Sequence, residues 1–412
     1  MQLIPAARQA RDHGAGTGAR GACDRSARGP GRDRSARGRT VAIVVAALCC
    51  SAHAHAAAAR IIEEHAAETL MQYFTDSDHV TVRSAIGNYS MTLERNAVLS
   101  VHWNNERVVI PAIDAPVGSD EAVDAITTAS RPIAGNAFQE FVKTRNEFEG
   151  GLTRGRARVG YYYSGETDYV GQQVSAGYNR DLGGDQFNVA VGTSYGWDAI
   201  DPVADDDTGT APDRKTTLHG NAVATQVLTP TTLLRAGIEY NVVSGLQHNP
   251  YRNVYAGGAP VAERHPDHRE RRDAFVKLHQ YLPNRSSMKL NYRFYNDDWG
   301  IDSHELGGKL SQYVTRGMFA SWEYRWYTQT QADFHRDEYD DADGANGYRS
   351  GDYRMADLAS HLFGVALDVD LAAFDISTPV LDRMGLRCNY ERYFNSNNYS
   401  ANILTTQIAW RF

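Results

Sequence analysis

The chain has 412 residues, yet nowhere does it offer about 18 consecutive apolar positions, so it has no segment able to cross a bilayer as a helix. Cysteine is scarce as well, with four in all, and Cys23, Cys49 and Cys50 fall before residue 57. If a leader ends there, Cys388 stands alone and no internal disulfide can form. Proline is held to 13 residues. What the chain does have is 23 Tyr, 36 Gly and a mean hydropathy of −0.49. That polarity does not exclude a membrane protein, because a spanning strand shows lipid only every second side chain.

Residues 1–40 are rich in Arg, Gly and Ala, with nothing to bury, and read as a disordered extension or a gene-model artefact. An apolar run, Val41 to Cys50, follows Arg37 and Arg39, and Ser51-Ala-His-Ala-His-Ala56 then offers small-x-small cleavage sites. Residues 41–56 therefore read as the apolar and cleavage regions of a signal peptide. Leu48-Cys49-Cys50 lacks the small residue expected before an acylated cysteine. Nine Arg against three Asp precede residue 57, so cleavage removes +6 and takes the net charge from −8 to −14. Such a balance argues against nucleic acid as a partner.

From residue 57 to 412 the chain alternates. In the last stretch Leu404, Thr406, Ile408, Trp410 and Phe412 share one face, and Ile403, Thr405, Gln407, Ala409 and Arg411 the other. Met288, Leu290, Tyr292 and Phe294 oppose Lys289, Asn291 and Arg293. Phe363, Val365, Leu367 and Val369 oppose Gly364, Ala366, Asp368 and Asp370. Sixteen such segments are expected, near 65–74, 78–90, 95–108, 142–153, 156–165, 168–182, 186–199, 214–228, 231–244, 271–282, 286–297, 301–313, 317–328, 358–371, 381–394 and 400–412. A soluble sandwich also alternates, so connection length has to decide. Short connections alternate with longer ones at 109–141, 200–213, 245–270 and 329–357. That asymmetry predicts an all-β fold: a transmembrane, antiparallel up-and-down barrel with short periplasmic turns and long extracellular loops. The final strand resembles the closing strand of bacterial outer-membrane barrels, and the resemblance gives Trp410 and Phe412 a role as an assembly signal.

The long loops carry acidic clusters at 198–207 and 333–343 and are expected to be solvated. Asp341-Ala-Asp343-Gly344 is a fragment of a calcium loop without its spaced Glu, and His265 and His268 have no ordered third ligand. No metal or other cofactor is expected. His279, His304 and His361 fall near strands without a Ser partner by spacing, so no enzyme activity is expected.

Several phrases resemble one family in order and spacing. They are Asp124 to Arg131, Asn249-Pro-Tyr-Arg252, Pro266 to Arg272, Tyr292-Arg-Phe-Tyr295 running into Asp298-Trp-Gly-Ile301, and Tyr324 to Phe334. The family is DUF3570, bacterial proteins of unknown function regarded as outer-membrane barrels. The Asp124 segment departs from it, with Thr-Thr-Ala-Ser where the family pattern has Ser-Gly-Ala-Ser. The resemblance implies a Gram-negative outer-membrane setting, with lipid and the barrel assembly machinery as partners. It also implies a small lipoprotein or periplasmic redox proteins nearby.

The polar faces supply a candidate lumen lining: Arg235, Glu239, Lys289, Arg293, Glu323, Arg325, Asp368, Asp370, Arg387 and Glu391. With Arg145, Glu147, Glu149, Lys277, Glu305 and Lys309 the wall carries eight charges of each sign, tolerable only against water or one another. The expectation is a polar pore or facilitator for small solutes, leaning towards cations through its acidic loops. The alternative is a non-conducting scaffold or adaptor barrel for a lipoprotein or a periplasmic redox or export system. An outer-membrane hydrolase is a third, weaker reading.

Overall fold

The computed structural model describes residues 62–93, 97–110, 141–184, 186–202, 213–250, 252–340, 347–374, 378 and 381–411. The expected leader, the Asp124 segment and Phe412 lie outside them. Eighteen strands are described: β1 (Ile62–Asp76), β2 (Thr81–Leu93), β3 (Ala97–Ile110), β4 (Phe141–Arg154), β5 (Ala157–Gly165), β6 (Tyr169–Leu182), β7 (Phe187–Ile200), β8 (Asp213–Thr229), β9 (Thr232–Gly245), β10 (Asn253–Ala256), β11 (Ala259–Ala262), β12 (His268–Tyr281), β13 (Ser286–Asp297), β14 (Asp302–Thr315), β15 (Met318–Gln329), β16 (Leu358–Asp370), β17 (Met384–Asn395) and β18 (Ser400–Arg411). All but β10 and β11 form one closed antiparallel barrel in which each strand pairs with its sequence neighbour, β9 pairs with β12, and β1 pairs with β18. The barrel thus has sixteen strands, at the positions the alternation marks.

Closure satisfies the backbone of every strand from its two neighbours, the only way a sheet can stand in hydrocarbon. The barrel strands run from 9 residues in β5 to 17 in β8, which is enough for a tilted span. Their outward side chains form an apolar coat that no protein covers. Leu290, Tyr292 and Phe294 follow one another up β13, with Trp322 and Tyr324 on β15 and Phe363, Val365 and Leu367 on β16, all exposed. A surface of this extent in water would drive aggregation; in lipid it is the stable side. Near the long-connection rim the coat becomes amphipathic. The Tyr292 hydroxyl lies 2.8 Å from His304 Nδ1 and the Tyr324 hydroxyl 2.9 Å from His361 Nδ1, the wet-end, greasy-end pattern of an interfacial girdle.

The two rims differ as expected. One carries short turns, such as 155–156, where Gly155 has φ +58°, a left-handed geometry that a side chain would strain. The other carries the connections at 111–140, 201–212, 246–267 and 330–357. Two details depart from the sequence expectation. The connection 246–267 is not all loop but contains the hairpin β10–β11. β17 starts at Met384 rather than 381, because Leu381–Arg383 forms a 3-10 turn.

Cys388 lies on the outward face of β17, between exposed Leu386 and Tyr390. In membranes a polar, impermeant maleimide is expected to label it slowly, and to label it fully after unfolding. Rapid labelling of folded protein would place the thiol in water and invert the faces of β17.

Candidate functional site

The inward faces hold the charges. All ten candidate lining residues sit on inward positions: Arg235 and Glu239 on β9, Lys289 and Arg293 on β13, Glu323 and Arg325 on β15, Asp368 and Asp370 on β16, Arg387 and Glu391 on β17. Not all of them meet. Arg293 reaches Asp273 of β12 at 2.6 Å and Glu239 at 3.8 Å. Lys309 and Glu323 pair at 2.9 Å, and Arg387 reaches Asp368 at 3.3 Å. Glu391 accepts from Asn389 at 3.0 Å. Asp370 sits exposed at the short-turn rim, where it accepts from the Ala372 amide. These pairs remain wet: the Arg293 side chain is 46% exposed and that of Glu323 38%. Across the barrel, Arg145 pairs with Glu147, Arg158 lies 3.6 Å from Glu149, and buried Lys143 pairs with Glu166.

Four of the wall cations stand apart. Arg235, Lys277, Lys289 and Arg325 have no carboxylate within ion-pair distance among the described residues. The register also places like charges directly opposite each other: Lys277 faces Arg235, and Lys289 faces Lys309. Between β8, β9, β12, β13 and β14 the wall opens into a recess of ≈ 200 Å³, lined by Arg235, Lys277, Asn221, Asn291, Phe275 and Glu305 among others.

Towards the long-connection rim the character changes. The inward residues at the strand ends, Arg269, Asp297, Ser303, Gln329, Leu358 and Ser360, are all buried, so connections fold inward over them. Asp297 organises the turn 298–301. Its Oδ1 accepts from the amides of Trp299 and Ile301, both at 3.0 Å, while Oδ2 accepts from Tyr295 (2.6 Å) and Arg269 Nε (2.9 Å). The Arg269 guanidinium lies 4.1 Å from the Trp299 ring centre, a desolvated cation–π contact. Gly300, at φ +87°, completes the turn, and a side chain there would strike Asp333.

On this turn sit the other two connections, 246–267 and 330–357, joined to each other. Trp299, Ile301, Ala332, Phe334 and Met355 form an apolar core, and Val254, Ala256 and Tyr339 form another. Bridges link Ala256 to Tyr339 and Arg264 to Arg349. At the centre is a buried charge network. Glu263 accepts from Ser350 Oγ (2.8 Å), the Gly351 amide (3.1 Å) and the Asn249 amide (3.0 Å), and lies 3.1 Å from His265 and 3.3 Å from Arg252. Asp352 pairs with Arg252 at 3.2 Å and Arg354 at 2.7 Å. Burial opposes ionisation of Glu263, but the His265 hydrogen bond and the Arg252 charge outweigh it and hold its pKa at about 2. Asp352 is likewise buried, and its two arginines keep it well below the usual carboxylate range. Next to this cover, Phe74, Val82, Val108, Ile110, Leu362, Tyr393 and Ile403 cluster on the inward faces of β1–β3 and β16–β18.

The sequence expected these two connections to be solvated loops. Instead they fold on each other around buried cores, with Asp333, Asp337, Glu338 and Asp340 exposed at the outer surface along with Tyr255, Arg264 and Arg336. His265 and His268 do not converge: His265 is buried at the centre and exposed His268 lies beside Glu270. Asp341, Asp343 and the 203–210 stretch lie outside the described residues. His279 points inward opposite Lys289, whereas His304 and His361 point outward. Four of the five phrases quoted for the family resemblance reach this cover through Asn249, Arg252, Arg269, Trp299 and Phe334, while the Asp124 segment lies outside the described residues.

A family model described as "Protein of unknown function (DUF3570)" matches residues 40–397. No curated protein matches the chain. Among solved structures, a loop-deletion mutant of OmpT, an outer membrane protein of Vibrio cholerae, is similar at 10% identity and a TM-score of 0.41, covering 85% of this chain and 99% of that one. Pseudomonas aeruginosa OccK1 (OpdK) is similar at 9% identity and a TM-score of 0.41, covering 85% and 98%. Acinetobacter baumannii OccAB4 has 8% identity and a TM-score of 0.38, covering 86% and 99%.

Proposed function

We propose, from the premise that this chain belongs to the DUF3570 family, that it passes small polar solutes across the Gram-negative outer membrane through a lumen capped at its extracellular end. The observation that carries this reading is the hydrated mid-barrel wall, where charged side chains on β9 and β12–β17 face water as well as each other. Buried in a filled barrel, Arg235 and Lys277 would each cost several kcal/mol; a water-filled lumen removes that cost. The short-turn rim then faces the periplasm, as in barrels whose long connections are extracellular.

The cover favours a second reading as well. Two connections locked by buried ion pairs resemble a lid more than an open mouth, and a closed barrel suits a scaffold or adaptor for a lipoprotein or periplasmic redox partner. Purified protein in planar bilayers separates the two. Discrete conductance steps from heat-modifiable, folded protein are expected for the pore. Silent bilayers, together with a stoichiometric lipoprotein recovered in native pull-downs, would replace it with the adaptor.

A further inference from the structure

The basic recess on the β8–β14 wall asks for a ligand. Like charges directly opposite each other destabilise a sheet, and here Lys277 faces Arg235 with no carboxylate in ion-pair reach of either among the described residues. Both side chains are water-exposed and border the ≈ 200 Å³ recess. Its lining is mainly polar, with a small apolar patch: Phe275 lies beneath the Lys277 ammonium, 5.0 Å from ring centre to nitrogen, and Val223 is beside it in the recess. Amides from Asn221 and Asn291 complete the rim. The two acids that share the recess are engaged: Glu239 lies 3.7 Å from His219 and 3.8 Å from Arg293, and Glu305 accepts from Asn291 at 3.2 Å.

We propose that this recess binds a small organic monocarboxylate, its carboxylate on Arg235 and Lys277 and its apolar tail against Phe275 and Val223. This rests on, and deepens, the solute-pore reading. Arg offers a fork of N–H donors that matches a carboxylate, and Lys a point charge beside it. The bound anion also relieves the repulsion between the two cations. Glu305, held by the neutral Asn291 amide, sets the specificity, since a second carboxylate beside it would meet like charge. The inference therefore discriminates three ligands of equal carbon count: valerate should bind, glutarate should bind more weakly, and neutral valeramide should not bind measurably.

The test is a proton NMR saturation-transfer titration of the intact barrel in detergent with each compound, alongside current block by valerate in bilayers. Replacing both cations (R235Q/K277Q) should weaken valerate binding at least about tenfold, the loss of one charge-assisted bond, and abolish block. Heat-modifiable migration checks that the variant folds. Comparing valerate with valeramide on the wild type needs no variant, so misfolding cannot shield the proposal. Equal binding of valerate and valeramide, or no valerate binding, overturns it. Conductance without valerate binding leaves the pore standing and removes this site; valerate binding in a silent barrel keeps the site and removes the pore.

Discussion

Replacing Arg293, Arg325 and Arg387 together with glutamate is expected to drive the reversal potential under a salt gradient close to the limit of a cation-only channel. Wild type should stay near zero. Among the sixteen wall positions named from the sequence, the balance changes from eight charges of each sign to five positive against eleven negative. Two of the three arginines neutralise carboxylates now: Asp273 and Glu239 lose Arg293, at 2.6 and 3.8 Å, and Asp368 loses Arg387, at 3.3 Å. Arg325 has no ion-pair partner among the described residues, so its replacement adds a negative charge without releasing one. In a low-dielectric tube such charges focus the field on the permeating ion. Charges on exposed loop tips are screened within about 10 Å at 0.1 M salt. The wall effect should therefore survive at salt concentrations where the tips no longer count. An unchanged reversal potential in a conducting variant would take these arginines off the ion path.

The double variant E263Q/D352N should open the cover. Both carboxylates are buried and hold Arg252, Arg354, His265 and the Ser350 hydroxyl in place. Removing them leaves two arginines buried without those counter-charges, a defect costing about 3–5 kcal/mol per broken pair. Expected consequences are a larger or more frequent conducting state and rapid proteolysis between 330 and 357, with the barrel itself intact. Acid should act in the same direction. A carboxyl whose folded pKa is depressed adds stability that is complete above its unfolded value, about 4.3, and is lost as pH falls through its folded value. For Glu263 that window runs from about 4.3 down to about 2 and is worth on the order of 3 kcal/mol. Proteolysis of wild type in a series of buffers across that range provides the check. A cover equally resistant in wild type and E263Q/D352N at neutral pH would mean that its apolar cores alone hold it.

What could be read in the sequence follows from which constraints are local. Lipid on one side and water on the other impose period two on every strand, so β13 or β16 declares itself within a dozen residues. The cover has no such period. Glu263 finds Ser350 87 positions away, and although Glu263 stands two residues before His265, nothing local says that the two meet in a buried network. The hairpin β10–β11 did carry a signal: Gly257-Gly258 between short apolar runs, both now at positive φ, is a two-residue hairpin turn. The recess was half legible. Arg235 and Lys277 were both on the polar faces, but their direct opposition depends on β9 skipping the hairpin to pair with β12.

The pairing of β1 with β18 has a consequence for the birth of the molecule. Eleven residue pairs, from Ala66 with Arg411 to Asp76 with Ala401, weld the two ends of the chain together, and Gln72 meets Thr405 across 333 positions. This contact is the most non-local in the barrel, and such contacts form slowly. Lengthening the chain adds little thermodynamic penalty, since each doubling of a closed loop costs only about 0.6 kcal/mol. The burden is one of timing. Until the last strand is released, fifteen strands present two raw edges, each able to capture a neighbouring chain. Closure therefore waits on β18, and until it pairs with β1 both edges stay open to capture by another chain.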